Sequence, residues 1–275
     1  MNMSLLSVES VSFWVALVAY SVGCALAVTN VVFSKAFERS LLFCVATGTL
    51  LHTIAMGARW IRLDHLPVIG PFEMLSANVW GLMVAVTLAY WRLKRVRAFA
   101  AIVMPIVIMI MAWMLLKSKA DTSPPTTYNT VWLFIHIGFI KLFLGSAFIA
   151  LGMAGIILLR TAGIGVDRFT GLPGNPALDD LAYRFMALAL IFDTLGVSAG
   201  AIWAQDAWGR YWSWDTLETW SLVTWLTIGL TLHLRASFKT PPQTNALMIV
   251  VTFCVAFFTF FGIPFVSTSM HKGQI

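Results

Sequence analysis

The chain has 275 residues, of which 59% are hydrophobic and only 11% are charged. Soluble domains carry roughly 25% charged residues, so this composition excludes an ordinary soluble domain and predicts an integral membrane protein. The formal net charge is +6, but the basic residues form no stripe in a soluble region, which argues against binding to nucleic acid.

The apolar residues are grouped into long runs. A helix needs about 20 mostly apolar residues to cross a hydrocarbon core roughly 30 Å thick. Eight segments meet this requirement, at about 11–33, 40–60, 72–91, 98–116, 131–159, 181–203, 219–235 and 245–266. The sequence therefore predicts an all-α, polytopic membrane helix bundle with about eight transmembrane helices, forming a single domain over residues 1–275.

The basic residues predict the orientation of this bundle in the lipid bilayer. Loops on one side hold eleven Lys and Arg residues, and loops on the other side hold six. Short cytoplasmic loops carry an excess of these residues. We therefore expect both termini on the non-cytoplasmic side of an inner, or cytoplasmic, cell membrane. The loop between the sixth and seventh spans then faces the periplasm or an equivalent outer compartment.

The histidines lie at characteristic depths along the chain. His52 lies about twelve residues into the second span, and His65 follows in the next outer loop, where we expect it to be solvated. The fifth span carries His136 about five residues from its outer end, and the seventh carries His233 about fourteen residues deep. His271 follows the eighth span. At 1.5 Å per residue, these depths predict a pair within the hydrocarbon and a pair near the outer surface.

Paired imidazoles at matched depth suit the two axial positions of a haem iron. Zinc would require three or four ligands, and the sequence has no Cys or carboxylate cluster at zinc spacing. Polar residues in the hydrocarbon are costly and often functional. However, a single membrane histidine commonly hydrogen-bonds a neighbouring helix, so the residues alone leave the structural interpretation open.

Two charged residues also fall inside predicted spans. Lys141 lies in the fifth span and Asp193 in the sixth. Each would cost about 2.5–3.5 kcal/mol if it entered the bilayer alone. Because both lie at similar depth, we expect an ion pair between them.

The most unusual stretch of the sequence is WGRYWSWDTLETWS, residues 208–221. Six of the twelve tryptophans fall between Trp203 and Trp225. An aromatic belt at the membrane interface accounts for part of this clustering. Indole rings also offer a flat face and an N–H donor, which suit a porphyrin ring and its propionates. The candidate contacts are Trp208, Trp212 and Trp214, with Arg210 as a charged partner for a propionate.

Asp215 and Glu218 have a structural interpretation as well. The pattern D-x-x-E before an apolar run is a variant of the helix capping box. We therefore expect these two carboxylates to start the seventh helix, which would limit their contact with a ligand.

Residues 200–226, GAIWAQDAWGRYWSWDTLETWSLVTWL, resemble the signature of a known family. The family is the CcsA/ResC-type cytochrome c assembly proteins, part of a haem-handling superfamily defined by a WWD domain. Further segments with this resemblance are HTIAMGARWIRLDHLPVIGPFEML (52–75), VWLFIHIGFI (131–140), LTLHLR (230–235) and FTFFGIPFVSTSMH (258–271). The chain departs from the family pattern at Thr216-Leu217, where Pro-Lys is usual, and at His271-Lys272-Gly273, where a His-Ser-Tyr-Gly-like segment is usual.

The resemblance implies two haem positions. His52 and His233 would hold haem b within the membrane, and His136 and His271 would be the axial and catalytic residues of an outer site. This outer site would lie beneath a WWD haem-binding loop at residues 203–221. Its other contacts would be Trp208, Arg210, Trp212, Trp214, Asp215, Glu218 and Trp220.

The resemblance also implies a function in system II cytochrome c biogenesis. The chain would move haem to the outer face and present it for thioether attachment to the C-x-x-C-H motif of apocytochrome c. A ResB/CcsB-type membrane protein would be its partner, so the chain would be one component of a cytochrome c synthase, or haem lyase. The alternative is a HemX-like haem-binding or regulatory protein, or a carrier that delivers haem without attaching it.

Overall fold

A computed structural model of the chain describes residues 2–33, 37–165, 169 and 171–266. His271 lies outside these residues, so its role as an axial ligand stays a prediction. The described part is helical and contains no strand. Its long helices are α1 (Asn2–Val32), α2 (Glu38–Leu63), α3 (Pro71–Arg92), α4 (Ala100–Leu115), α5 (Val131–Thr161), α6 (Asn175–Trp208), α7 (Thr216–Phe238) and α8 (Pro242–Phe257).

Shorter helical segments extend two of these helices. A 3₁₀ turn at Lys94–Phe99 leads into α4. A π-helical turn at Phe258–Gly262 and a last turn at Ile263–Val266 continue α8. With these extensions, seven helices in the described part are long and apolar enough to cross a membrane. The prediction of a polytopic helical membrane bundle is confirmed.

Helix α7 is not among these seven, although an eighth span was predicted at 219–235. Its Thr, Ser and Trp residues dilute its apolar character. However, α7 lies alongside α6, because the Trp225 indole donates to Thr194 at 2.8 Å and Arg235 donates to Asp179 at 2.9 Å. Since α6 is a candidate span over its whole length, these contacts support α7 as a further span.

Threonine pairs fix the register between α7 and α8. Thr224 and Thr259 share a hydrogen bond of 2.8 Å, as do Thr231 and Thr252. The earlier threonine of α7 pairs with the later threonine of the α8 segment, and the later one of α7 pairs with the earlier one of α8. The two helices are therefore antiparallel. Hydroxyl pairs of this kind satisfy polar groups between apolar helices.

The helix ends follow from local residues. Thr130 accepts a hydrogen bond from the Trp132 N–H and caps the start of α5. Helix α6 ends at Gly209, which has a positive φ of 76°, a conformation that glycine adopts without steric cost. This turn after Trp208 directs the tryptophan-rich segment back towards the start of α7.

The chain forms two compact units. The first unit comprises Met1–Ser123 with Gly163–Pro173, and the second comprises Pro124–Ala162 with Gly174–Ile275. The first therefore contains α1 to α4 and the second contains α5 to α8. The single domain expected over residues 1–275 stays a prediction.

Candidate functional site

The second unit contains a cleft that we call the His136 cleft. It is a partly open cleft with a mainly apolar lining, as small-molecule sites generally have. Residues of α5, α6, α7 and the segment before α7 line it, together with Phe260 of the π-helical turn. The polar side chains in its wall include His136, Lys141, Trp212 and Glu218.

The ring of His136 is held in a defined orientation. Its Nδ1 lies 2.7 Å from the backbone carbonyl oxygen of Gly196. Because a carbonyl oxygen only accepts, Nδ1 must carry the proton and donate. In the neutral ring, the lone pair is then on Nε2, the atom that would ligate a metal.

Trp203 packs against this ring. The two ring centroids are 6.3 Å apart and the planes differ by 22°. Trp203 is itself fixed, because its indole N–H donates to the carbonyl oxygen of Thr127 at 2.9 Å and its ring meets the edges of Tyr128 and Trp208. The sequence placed Trp203 at the start of the WWD loop but did not single it out as a haem contact. The sequence feature that could have predicted its position is its spacing from Gly196 and Gly200, which puts all three residues on one face of α6.

Only part of the tryptophan-rich stretch lines the His136 cleft. Of the candidate contacts, Trp212 and Glu218 line the His136 cleft. Trp214 is exposed, with its ring centroid 5.8 Å from that of Trp212. Trp208 packs on Trp203, which separates it from His136. The other candidates do not line the cleft: Arg210 is exposed, Trp220 packs against Phe258 with ring centroids 4.8 Å apart, and Asp215 caps α7.

The predicted capping box is confirmed. The backbone N–H of Glu218 donates to the Asp215 carboxylate at 2.8 Å. The Glu218 carboxylate accepts from the N–H of Asp215 at 3.4 Å and from the N–H and hydroxyl of Ser213 at 2.7 and 3.0 Å. Glu218 thus holds the segment that carries Trp212 against the start of α7.

The predicted ion pair between Lys141 and Asp193 does not form. Asp193 is fully buried, and neither of its carboxylate oxygens has a hydrogen-bond partner within the described part of the chain. Lys141 lines the His136 cleft instead. Similar depth in neighbouring spans was therefore not enough to bring the two side chains into contact.

The two histidines expected within the hydrocarbon have different environments. His233 is exposed on α7. His52 is fully buried, its Nε2 lies 2.9 Å from the Ser76 hydroxyl, and the rings of Phe13 and Tyr20 approach it edge-on. Its Nδ1 has no hydrogen-bond partner in the residues described here. Ligation of iron by His52 would require this packing to open. The assignment of His52 and His233 as two ligands of one haem stays a prediction.

The first unit has a separate cleft, which we call the Arg59 cleft, with a volume of about 420 Å³. Arg59 forms ion pairs with Glu73 and Glu9, both at 2.8 Å. Glu73 also accepts from the N–H groups of Ile69 and Gly70 at the start of α3. Sequence reasoning missed this network, because its members come from distant segments.

His65 is not solvated as expected. It is half-buried, and its Nε2 lies 2.8 Å from the carbonyl oxygen of Thr122. Thr122 also donates its hydroxyl to Glu73. His65 therefore ties two loops of the first unit together and has a structural explanation.

Comparison with known proteins adds an independent finding. The family model described as cytochrome C assembly protein matches residues 68–271. The chain is 26% identical to the cytochrome c biogenesis protein CcsA of Guillardia theta, over 94% of this chain and 91% of that protein. It is 28% identical to CcsA of Porphyra purpurea, over 87% and 90%, and 27% identical to that of Synechocystis, over 83% and 86%.

A solved structure has the same fold. The cytochrome c haem lyase CcmF superposes with a TM-score of 0.74 at 16% sequence identity. The match covers 94% of this chain and 46% of the lyase chain. At this identity the likeness concerns the fold alone, and the chain spans just under half the length of the lyase.

Proposed function

The chain belongs to the cytochrome c assembly protein family, and we propose that its His136 cleft binds haem b and presents it for covalent attachment to apocytochrome c. Membership of the family establishes a role in cytochrome c biogenesis, and the seven apolar helices make the chain a membrane protein. What the cleft binds, and which face of the membrane it opens to, are proposals.

The observation that carries the proposal is a pair of groups in the wall of the cleft. His136 donates from Nδ1 to Gly196, which leaves the lone pair on Nε2. The indole N–H of Trp212 is buried and has no hydrogen-bond partner in the described residues. A buried donor without a partner costs about 1–3 kcal/mol. A haem propionate would accept from the Trp212 N–H, and a haem iron takes an imidazole nitrogen such as that of His136.

The lining of the cleft fits the same ligand. Its wall combines aromatic and aliphatic side chains with a few polar groups, as small-molecule sites generally do. Lys141 adds an amino group to this wall, and its protonated form would pair with a ligand that carries carboxylates. Exposed Arg210 would be a second cation for a propionate at the rim.

The chain's own residues would orient the reaction. When bound, haem supplies the vinyl groups to which the two cysteine thiols of a C-x-x-C-H motif add, forming thioether bonds. His136 would hold the iron, and His271 is proposed to hold it as well. Trp212 would hold a propionate, while Glu218 keeps the Trp212 segment in place through its bonds to Ser213. We assign no residue as a general acid or base.

The wider arrangement is also part of the proposal. The cleft would face the periplasm or an equivalent compartment, with both termini on that side. His52 and His233 would hold a second haem b, and a ResB/CcsB-type membrane protein would complete the synthase. These elements are supported by the resemblance of the sequence segments that carry these histidines.

The second candidate function is haem binding or delivery without attachment. One observation favours it: Thr216-Leu217 stands where the family usually has Pro-Lys, so this position carries no cation for a propionate. Deletion of the gene separates a role in attachment or delivery, which predicts loss of holo-cytochrome c, from a purely regulatory role, which predicts its retention.

The first experiment is an absorption spectrum of the full chain, purified in detergent from haem-replete cells. We expect the reduced bands of six-coordinate, low-spin haem, and a pyridine haemochrome assay that identifies haem b. His136→Ala should lower the affinity of the cleft for haem at least about tenfold, because even loss of an outer-sphere partner of a metal ligand typically costs 10–100-fold in affinity. Any haem held by His52 and His233 should remain. His65→Ala is the matched control, since His65 lies in the first unit. Equal haem in wild type and His136→Ala would contradict the proposal.

A further inference from the structure

Gly196 and Gly200 form a small-residue pair on α6. They are spaced four residues apart in the sequence GVSAG, which places them on the same helix face. Small residues at this spacing let membrane helices approach closely. In this structure the two glycines face different groups of α5, and that difference indicates separate roles.

Gly196 contacts a packing residue, whereas Gly200 contacts the histidine itself. A Cβ added at Gly196 would lie 2.8 Å from Cδ1 of Ile140. A Cβ added at Gly200 would lie 2.7 Å from Nδ1 and 2.9 Å from Cε1 of His136. Since carbon atoms prefer separations of about 3.5–4.0 Å, the ring occupies space that any side chain at position 200 would take.

The same geometry explains how the ring reaches a helix carbonyl. In an α-helix the carbonyl of residue i points towards the N–H of residue i+4. The residue whose side chain lies nearest the carbonyl of Gly196 is therefore Gly200. Because Gly200 has no side chain, the His136 ring lies beside α6 and donates to the Gly196 carbonyl at 2.7 Å. Trp203, one turn further along, covers a face of the ring.

We infer that Gly196, Gly200 and Trp203 form a seat that fixes the tautomer and ring orientation of His136, and so determines which nitrogen the histidine presents to the His136 cleft. This inference rests on the proposed function for the identity of the ligand, although the tautomer exists without one. The three are positioning residues and act through His136.

The seat has a consequence for the bound metal. A hydrogen bond from the second nitrogen of a ligating histidine fixes its orientation and raises its basicity. A more basic axial ligand stabilises the oxidised iron relative to the reduced iron. Weakening the bond to Gly196 should therefore raise the midpoint potential of the haem and lower its affinity about 10–100-fold.

The test uses Gly200→Ala in the full-length chain, with Gly138→Ala and Gly229→Ala as controls. A Cβ at either control position meets no atom within 4 Å, so these variants carry the same chemical change without displacing His136. The first readout needs no haem. In apoprotein labelled with ¹⁵N-histidine, the ring shifts distinguish Nδ1–H from Nε2–H, and His136→Ala identifies the signal.

We expect the Nδ1–H form in wild type and both controls, and loss of its predominance in Gly200→Ala. In haem-loaded protein, Gly200→Ala should show a raised midpoint potential and altered low-spin electron paramagnetic resonance g-values. If Gly200→Ala kept the wild-type tautomer and the wild-type midpoint potential, the inference that the seat fixes the His136 tautomer would be wrong. An Nε2–H tautomer in the wild-type protein would overturn it as well.

A second variant covers the case in which Gly200→Ala does not accumulate. Trp203→Leu removes the stacked ring without inserting atoms beside His136, and it should shift the same signals by a smaller amount. Wild-type signals in Trp203→Leu would then contradict the role of Trp203 in the seat. If wild type binds no haem but shows the Nδ1–H tautomer, the proposed function fails while the seat holds.

Discussion

The Arg59 cleft of the first unit and the His136 cleft of the second are both concave and partly polar, but their polar groups are used differently. In the Arg59 cleft the chain satisfies its own charges. Arg59 pairs with Glu9 and Glu73, and Glu73 accepts additional bonds from backbone N–H groups and from Thr122. The ammonium group of Lys119 lies over the rings of nearby aromatic residues.

In the His136 cleft a buried donor is left over, because the Trp212 N–H has no partner within the described residues. The bond to Gly196 places the proton of the His136 ring on Nδ1. Buried polar groups are normally hydrogen-bonded, so an exception needs an explanation. The polar groups of the Arg59 cleft pair with one another and stabilise the fold. The Trp212 N–H of the His136 cleft has no such partner in the described residues, and we propose that a ligand binds there.

The largest expected effect is on stability in the Arg59 cleft. Arg59→Leu leaves Glu73 buried without its cation, and breaking a buried ion pair costs about 3–5 kcal/mol. We expect this loss in the free energy of unfolding measured in detergent. Arg184→Leu is the control, because Arg184 and Asp180 form an exposed pair, for which about 0–1 kcal/mol is typical. Equal losses in the two variants would contradict a structural role for the Arg59 cleft.

Trp212→Phe should separate stability from ligand binding in the His136 cleft. The substitution keeps an aromatic ring and removes the N–H without a partner, so the apoprotein should be at least as stable as wild type. Haem affinity should fall about 10–100-fold, since a hydrogen bond to a charged group contributes about 1.5–3 kcal/mol. Haem titration and thermal unfolding measure the two effects. Destabilised apoprotein with unchanged affinity would show that the indole N–H serves the fold.

Glu218→Ala should have an intermediate effect on the same cleft. It removes the bonds to Ser213 and Asp215, and loss of a helix cap costs about 0.5–2 kcal/mol. Because the cap also holds the Trp212 segment, we expect weaker haem binding together with this loss. Glu218→Gln is the matched control, since glutamine also serves in a capping box. If the Gln variant lost as much affinity as the Ala variant, the charge of Glu218 would be what matters.

The smallest expected effect is the pH response of Lys119 in the Arg59 cleft. Burial lowers the pKa of this lysine, and the nearby Arg59 lowers it further while Glu9 raises it. A lowered pKa means that the folded state disfavours the charged form. The charged Lys119 therefore lowers the free energy of unfolding at neutral pH. The protein regains this stability as pH rises through the lowered pKa towards 10.5, the ordinary value of a lysine. Lys119→Arg stays charged and should lack this small gain in stability at alkaline pH.

The sequence predicted the helical membrane bundle, most of its spans and the capping box, because each depends on residues close together in the chain. It also singled out Trp212, which lines the His136 cleft, through the WWD-like stretch. It did not predict that Trp208 packs behind Trp203, that Lys141 lines the cleft without pairing with Asp193, or that Arg59 and Glu73 are buried together. Each of these depends on the rotation of one helix against another.

The role of depth illustrates this limit. Counting residues from the end of a span gives the depth of a side chain, because the helical rise is constant. It does not give the direction in which the side chain points relative to the neighbouring helices. His52 and His233 were assigned together by depth, yet one is fully buried against Ser76 and the other is exposed.

The sequence by itself determined the class of protein, the family and the residue types available for a haem site, since the length of apolar runs and local motifs are properties of single segments. Only the tertiary structure decided how those residues are used. His136 and its partner Gly196 are 60 residues apart, and their meeting depends on the close approach of α5 and α6. Side-chain packing between distant segments sets that approach, and with it the nitrogen that His136 presents to the cleft.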